Sequence, residues 1–251
     1  MIVDLATHVA LLEPHLTIVR PEGPGPFPVV VQMHGCGGPT SMQSFYAKAA
    51  REAGVAAVIV DSLAPRGIGR REAQLTIYTG ARLRGAERAS DLVAALSWLE
   101  TQPWADPTRA AAVGWSHGGW AVMEAMVAGS RDQATGPTPI DAVKLAVLFY
   151  PYAGPFARTY AHGWGSRRPR VLAFIAGRDA VVGRVAPRRA IGRLQADGLE
   201  VEVLEFPDAT HAFDDEQGVD PRFRFRPDLA DQARRAYAAA LARALTAEGV
   251  V

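Results

Sequence analysis

Three short stretches hold the residue types that nucleophilic hydrolysis requires. Ser116 stands between two glycines in Gly114-Trp115-Ser116-His117-Gly118, Asp179 follows an apolar run in "VLAFIAGRDAVV", and His211 lies in "PDATHAFDD". A serine hydroxyl is a poor nucleophile unless a histidine takes its proton and a carboxylate orients that histidine and stabilises its charged form. The alternatives are a glycine-rich turn with an incidental serine, an aspartate that caps a turn, and a packing histidine.

Position separates the histidines. His8 and His15 precede the first central strand, His162 falls in a long connection, and the side chain of His117 is expected to head into a following helix. His211 comes just after the last predicted strand and is the expected base, with His162 in reserve. A fourth stretch, His34-Gly35-Cys36-Gly37-Gly38, can turn backbone N–H groups toward a developing oxyanion. The expected donors are the amides of Cys36 and His117. The Cys36 thiol has no second cysteine and no evident histidine partner, so only its main chain is assigned a role.

These residues need a scaffold that brings them to one edge. "FPVVVQMHG", "GVAAVIVDS", "RAAAVGWS", "KLAVLFYP", "RPRVLAFIAG" and "LEVEVLEFP" read as strands. Helices are predicted over Ser44 to Ala53, Ala81 to Glu100, "GGWAVMEAMVAG", Pro187 to Ala196 and Asp228 to Leu245. Alternating strand and helix predicts an α/β fold, a mostly parallel sheet covered on both faces. Parallel strands end on one side, so Ser116 and Asp179 are expected at the same sheet edge. The serine follows a predicted strand and opens a predicted helix, the setting in which a sharp turn exposes its hydroxyl.

Composition narrows the function. The 251 residues, 49% hydrophobic with formal net charge +1, suit a single domain over residues 1–251 and give no field that collects nucleic acid or an anionic membrane. The N-terminal stretch shows no basic region followed by an apolar run and a small-residue cleavage site, and no apolar run reaches the roughly 18 to 20 residues of a membrane span. A cytoplasmic protein is expected. The single cysteine fits a reducing compartment and rules out an intrachain disulfide.

The order Ser116, Asp179, His211, with the glycine-rich stretch before it, resembles the α/β-hydrolase superfamily. Within it, "HGCGG", "DSLAPRG", "GWSHGGW" and "THAFDD" are most similar to the dienelactone hydrolase family of small, nearly lidless esterases. The resemblance implies no large cap domain, no metal and no organic cofactor. The founding members carry a cysteine at the nucleophile position, and this chain has Ser116, as do family members similar to general carboxylesterases. A serine hydrolase of small esters or lactones, working through an acyl-enzyme on Ser116, is therefore expected. Its partners are a small-molecule ester or lactone substrate and at most a second copy of the chain, as a homodimer. The rivals are peptidase or acyltransferase activity on the same triad, or a hydrolase-like protein that binds a ligand without turning it over.

Residues 62–80 and 151–169 are long connections and are expected to wall the pocket. Arg66 either binds a substrate carboxylate or pins its own loop through Asp61 or main-chain carbonyls. Tyr150, Tyr152, Trp120 and Trp164 are candidates for an aromatic wall, with the core as their other destination. Arg158, Arg167 and Arg168 read as a solvated face, and the Asp214-Asp215-Glu216 run as an acidic loop with no metal.

Overall fold

Seven strands pair into one sheet in the order β1-β3-β2-β4-β5-β6-β7. The computed structural model describes residues 4–77, 82–131, 138–218 and 220–246. In chain order the elements are α1 (Leu5–Leu12), β1 (Leu16–Val19), β2 (Phe27–Met33), α2 (Ser41–Glu52), β3 (Ala56–Val60), α3 (Arg70–Thr76), α4 (Gly85–Leu99) and β4 (Ala105–Trp115). There follow α5 (His117–Arg131), β5 (Val143–Phe149), α6 (Thr159–His162), β6 (Arg170–Ala176), α7 (Val185–Ala196), β7 (Val201–Phe206) and α8 (Pro227–Leu241). Strands β2 to β7 run parallel, and β1 pairs antiparallel with β3 at one edge.

The strands are continuous apolar runs because both of their faces are covered. Along β2, Val29, Val31 and Met33 pack in the core under α1, α4, α5 and α7, while Val30 packs in the core under α2 and α8. Each such valine removed from water stabilises the fold by roughly 1.5–3 kcal/mol. After β2 the chain builds β3 on one side and then returns to place β4 on the other. The connections leaving the carboxyl ends of β2 and β4 therefore diverge to opposite faces, and a crevice opens between them. The glycine-rich stretch after β2 and Ser116 after β4 both border that crevice.

The mostly parallel, doubly covered sheet matches the expectation from sequence, and among the described residues no large cap stands over it. Four helices and strands were not anticipated: α1, β1, α3 and α6. Helix α1 is capped by the Asp4 carboxylate, which accepts from the Thr7 amide, and β1 has only four residues, too few for an alternation to register. Helix α2 begins at Ser41 rather than Ser44, because the Thr40 hydroxyl accepts from the Met42 amide and the Gln43 side chain accepts from the Thr40 amide. The first long connection contains α3 and the second α6. Residues 78–80 of the first, and Ala81 where a helix was expected to start, lie outside the described residues. Among the described residues no helix is long and apolar enough to cross a membrane.

Candidate active site

Ser116 occupies a backbone conformation with φ of +53°, uncommon for a residue with a side chain. Neighbouring glycines make the turn sterically feasible. A Cβ on Gly114 would fall 2.2 Å from the Gly118 carbonyl oxygen, and a Cβ on Gly118 would fall 1.9 Å from the Met33 carbonyl oxygen. The turn is tied to β5 by the Ser116 amide, which donates to the Phe149 carbonyl at 2.9 Å. The strained conformation is thus fixed by close backbone packing and projects the hydroxyl into the crevice.

Ser116 Oγ lies 2.9 Å from Nε2 of His211, and Nδ1 of His211 lies 2.7 Å from Oδ2 of Asp179. The other oxygen of Asp179 accepts the Val181 and Val182 amides at 2.9 and 3.0 Å, which fixes the plane of the carboxylate. The loops carrying acid and base are joined by their main chains: the Gly177 amide donates to Phe206 and the Arg178 amide to Ala209, both at 2.8 Å. The His211 ring rests on Tyr150, with ring centroids 4.7 Å apart.

The stretch after β2 is held from behind. The Ser62 amide donates to Nε2 of His34 at 3.1 Å, so the proton of this ring is on Nδ1, which donates to the Gly35 carbonyl at 2.5 Å. Burial, and then the nearby Arg88 charge, hold His34 well below the usual imidazole range. Gly35 lies close to the nucleophile, since a Cβ built on it would be 3.9 Å from Cβ of Ser116. His117 is the first residue of α5, whose opening amides have no partner within the helix. Among the described residues, no three His, Cys, Asp or Glu side chains gather as metal ligands.

A model of the dienelactone hydrolase family matches residues 16–246. The chain belongs to the dienelactone hydrolase family. No protein of curated function matches the sequence. A Klebsiella pneumoniae protein assigned by inference as a dienelactone hydrolase superposes with TM-score 0.71 at 18% identity, covering 91% of this chain and 92% of that one. A dienelactone hydrolase-like promiscuous phosphotriesterase from metagenomic libraries gives 0.67 at 17%, covering 92% and 99%. A thermophilic carboxylesterase from a metagenomic library gives 0.63 at 19%, covering 92% and 84%. At these identities the likeness is one of fold.

In this dienelactone hydrolase family member, Ser116 and His211 open onto a cleft of about 440 Å³ that Cys36, Met42, Tyr150 and Phe223 also line. Of the five pocket candidates only Tyr150 borders it. Its hydroxyl is already engaged, donating to Asp214 at 2.6 Å. Arg66 is a correction: it donates to the Ser62 carbonyl and forks onto Asp91 at 2.7 and 3.1 Å, so it pins its loop. Of the two partners expected for a loop-pinning Arg66, a main-chain carbonyl is found, and Asp61 accepts the Leu63 and Ala64 amides instead.

Trp164 and Trp120 are corrections too. Trp164 is wholly buried and donates to Thr159, and Trp120 is buried and donates to Glu124. Tyr152 packs on Trp120 and spends its hydroxyl on the Pro155 carbonyl. The basic run is not simply solvated, because Arg158 pairs with buried Glu124 and Arg167 with Asp141. Nor is Asp214 part of an exposed acidic loop: it is buried and accepts from Tyr46, Tyr150 and Trp115. Burial pushes its carboxyl above the ordinary value against those hydrogen bonds. The sequence reading missed Met42 and, beyond His211, Asp215, Gln217, Gly218, Asp220, Arg222 and Phe223 as walls. The only signal for the latter was their position after His211.

Proposed function

We propose that this protein is a serine hydrolase that cleaves carboxylic esters or lactones of small substrates through an acyl-enzyme on Ser116. The observation that carries the reading is the continuous hydrogen-bonded line Ser116, His211, Asp179, placed on a cleft in a member of a hydrolase family. As the Ser116 oxygen attacks the carbonyl carbon, Nε2 of His211 takes its proton. Asp179 accepts the Nδ1 proton's hydrogen bond and stabilises the imidazolium. The carbonyl oxygen, now negative, rests on the amides of Cys36 and His117, each such donor being worth roughly 3–4 kcal/mol in the transition state.

Collapse of the tetrahedral adduct breaks the bond to the alcohol, which leaves with the proton from His211. A water molecule, deprotonated by the same nitrogen, then attacks the acyl carbon and frees Ser116. The cleft volume of about 440 Å³ suits a small acyl and alcohol pair. The lone cysteine is compatible with work in the cytoplasm.

The test is hydrolysis of p-nitrophenyl esters from acetate to octanoate by the wild type and by Ser116→Ala, with fluorophosphonate labelling alongside. The reading expects turnover and labelling in the wild type and neither in the variant. Turnover that survives loss of Ser116 overturns it.

A further inference from the structure

Behind the Cys36 loop and the first turn of α5 sits Arg88, from α4, with no exposed surface. Its Nε donates to the Ser62 hydroxyl at 3.2 Å and its Nη1 to Nδ1 of His117 at 3.1 Å. Among the described residues no carboxylate lies within ion-pair distance of it. Asp91, the acid one turn further along α4, is taken by His8 and Arg66. Neither Nη2 of Arg88 nor Nε2 of His117 has a partner, although both are buried. A buried guanidinium without a direct ion pair is costly, the Asp91 charge offsetting its desolvation only in part, and the fold retains it. Desolvation brings its pKa down to about 10, so the group stays charged at neutral pH.

Its two contacts lead to the two halves of one site. Through Ser62, whose amide holds His34 and through it Gly35, Arg88 reaches the loop of Cys36. Through His117 it reaches the residue whose amide is the second donor. A guanidinium only donates, so Nδ1 of His117 accepts and the ring is neutral with its proton on Nε2. The donors come from connections after two different strands, β2 and β4, and misplacement of such a pair by a fraction of an ångström is expensive in rate.

Resting on the ester-hydrolase reading above, we propose that Arg88 is the positioning residue of the oxyanion hole. It fixes the spacing between the Cys36 loop and the start of α5, and it keeps a positive charge with no direct ion pair behind the point where the oxyanion forms.

The test compares wild type, Arg88→Met and Arg88→Lys, each checked for folding by circular dichroism and melting temperature. With p-nitrophenyl acetate, Arg88→Met is expected to lower kcat by at least about tenfold with KM within about threefold, because the contact acts on the transition state. Arg88→Lys keeps the charge but lacks the fork that spans Ser62 and His117, so it restores kcat in part. The second readout needs no ester: alkylation of the lone Cys36 by iodoacetamide as a function of pH. The Arg88 charge draws the Cys36 thiol down against burial, which pushes it up. The other charged or titratable groups around the cluster are Asp61, Arg66, Arg70, Asp91, His34 and His117. The thiol titration is expected to move up in Arg88→Met and to stay near wild type in Arg88→Lys.

A folded Arg88→Met with kcat within twofold of wild type and an unmoved Cys36 titration overturns the proposal, leaving Arg88 a structural tie. If Arg88→Met does not fold, Arg88→Lys decides, and full wild-type kcat in that variant overturns the positioning role. A wild type that hydrolyses no ester overturns the ester-hydrolase reading, and the Cys36 titration then supports or rejects the Arg88 charge on its own.

Discussion

Asp179 is held on both sides: Oδ2 faces Nδ1 of His211 at 2.7 Å while Oδ1 accepts two main-chain amides, from Val181 and Val182. That asymmetry determines how an amide would sit in its place. In Asp179→Asn the side-chain oxygen stays with the two amides, so the NH2 group meets Nδ1 of His211. The ring must then carry its proton on Nε2, where it cannot accept from Ser116. We expect kcat to fall by on the order of 10⁴ with the melting temperature little changed. A variant retaining full ester hydrolysis would show that another carboxylate orients the base.

Gly118 is expected to accept no side chain. A Cβ there would fall 1.9 Å from the Met33 carbonyl, at the end of β2, and 2.6 Å from that of His34, the residue just after it. Gly118→Ala must therefore part β2 from the turn of Ser116. It should cost more than about 3 kcal/mol and abolish fluorophosphonate labelling even where some folded protein remains. Thermal unfolding and labelling of the purified variant check this.

Asp214 gathers donors from three separate elements: Tyr46 of α2, Trp115 at the end of β4 and Tyr150 after β5. Asp214→Ala leaves Tyr46 and Trp115 without an acceptor and Tyr150 with only the Met42 sulfur at 3.7 Å, and we expect a loss of about 3–5 kcal/mol. Tyr150→Phe removes one donor and should cost only about 1–2 kcal/mol. Urea denaturation of both variants measures the difference. Equal losses would mean that packing, not the shared carboxylate, sets the cost.

Two histidines predict how stability depends on pH. Burial first, and then the Arg88 charge, hold both His34 and His117 well below the ordinary value of 6.5. An unfolded chain restores that value, so below it the unfolded state binds more protons than the folded one. Their contribution is complete above pH 6.5 and is lost as pH falls toward the folded values, at up to about 1.4 kcal/mol per pH unit for each ring. The urea midpoint should be level from about pH 8 to 6.5 and decline below, and His117→Gln should make the decline shallower. A midpoint indifferent to pH down to about 5 would contradict this.

What the sequence by itself determined was local. Ser116 between glycines at a strand-to-helix junction, and Asp179 and His211 just past strand ends, were legible because strand direction and turn geometry depend on residues adjacent in the chain. Parallel strands then carry those turns to one edge without further information. The pocket walls and the buried polar links were decided by the tertiary structure alone. Tyr46 meets Asp214 across 168 residues, and Arg88 meets His117 across 29. Trp164 and Tyr150 look alike as aromatics near strand ends and both are buried, yet only Tyr150 also borders the cleft. The physical reason is that a buried donor must find an acceptor wherever packing brings one. Such partners carry no periodicity that the linear order of residues would reveal.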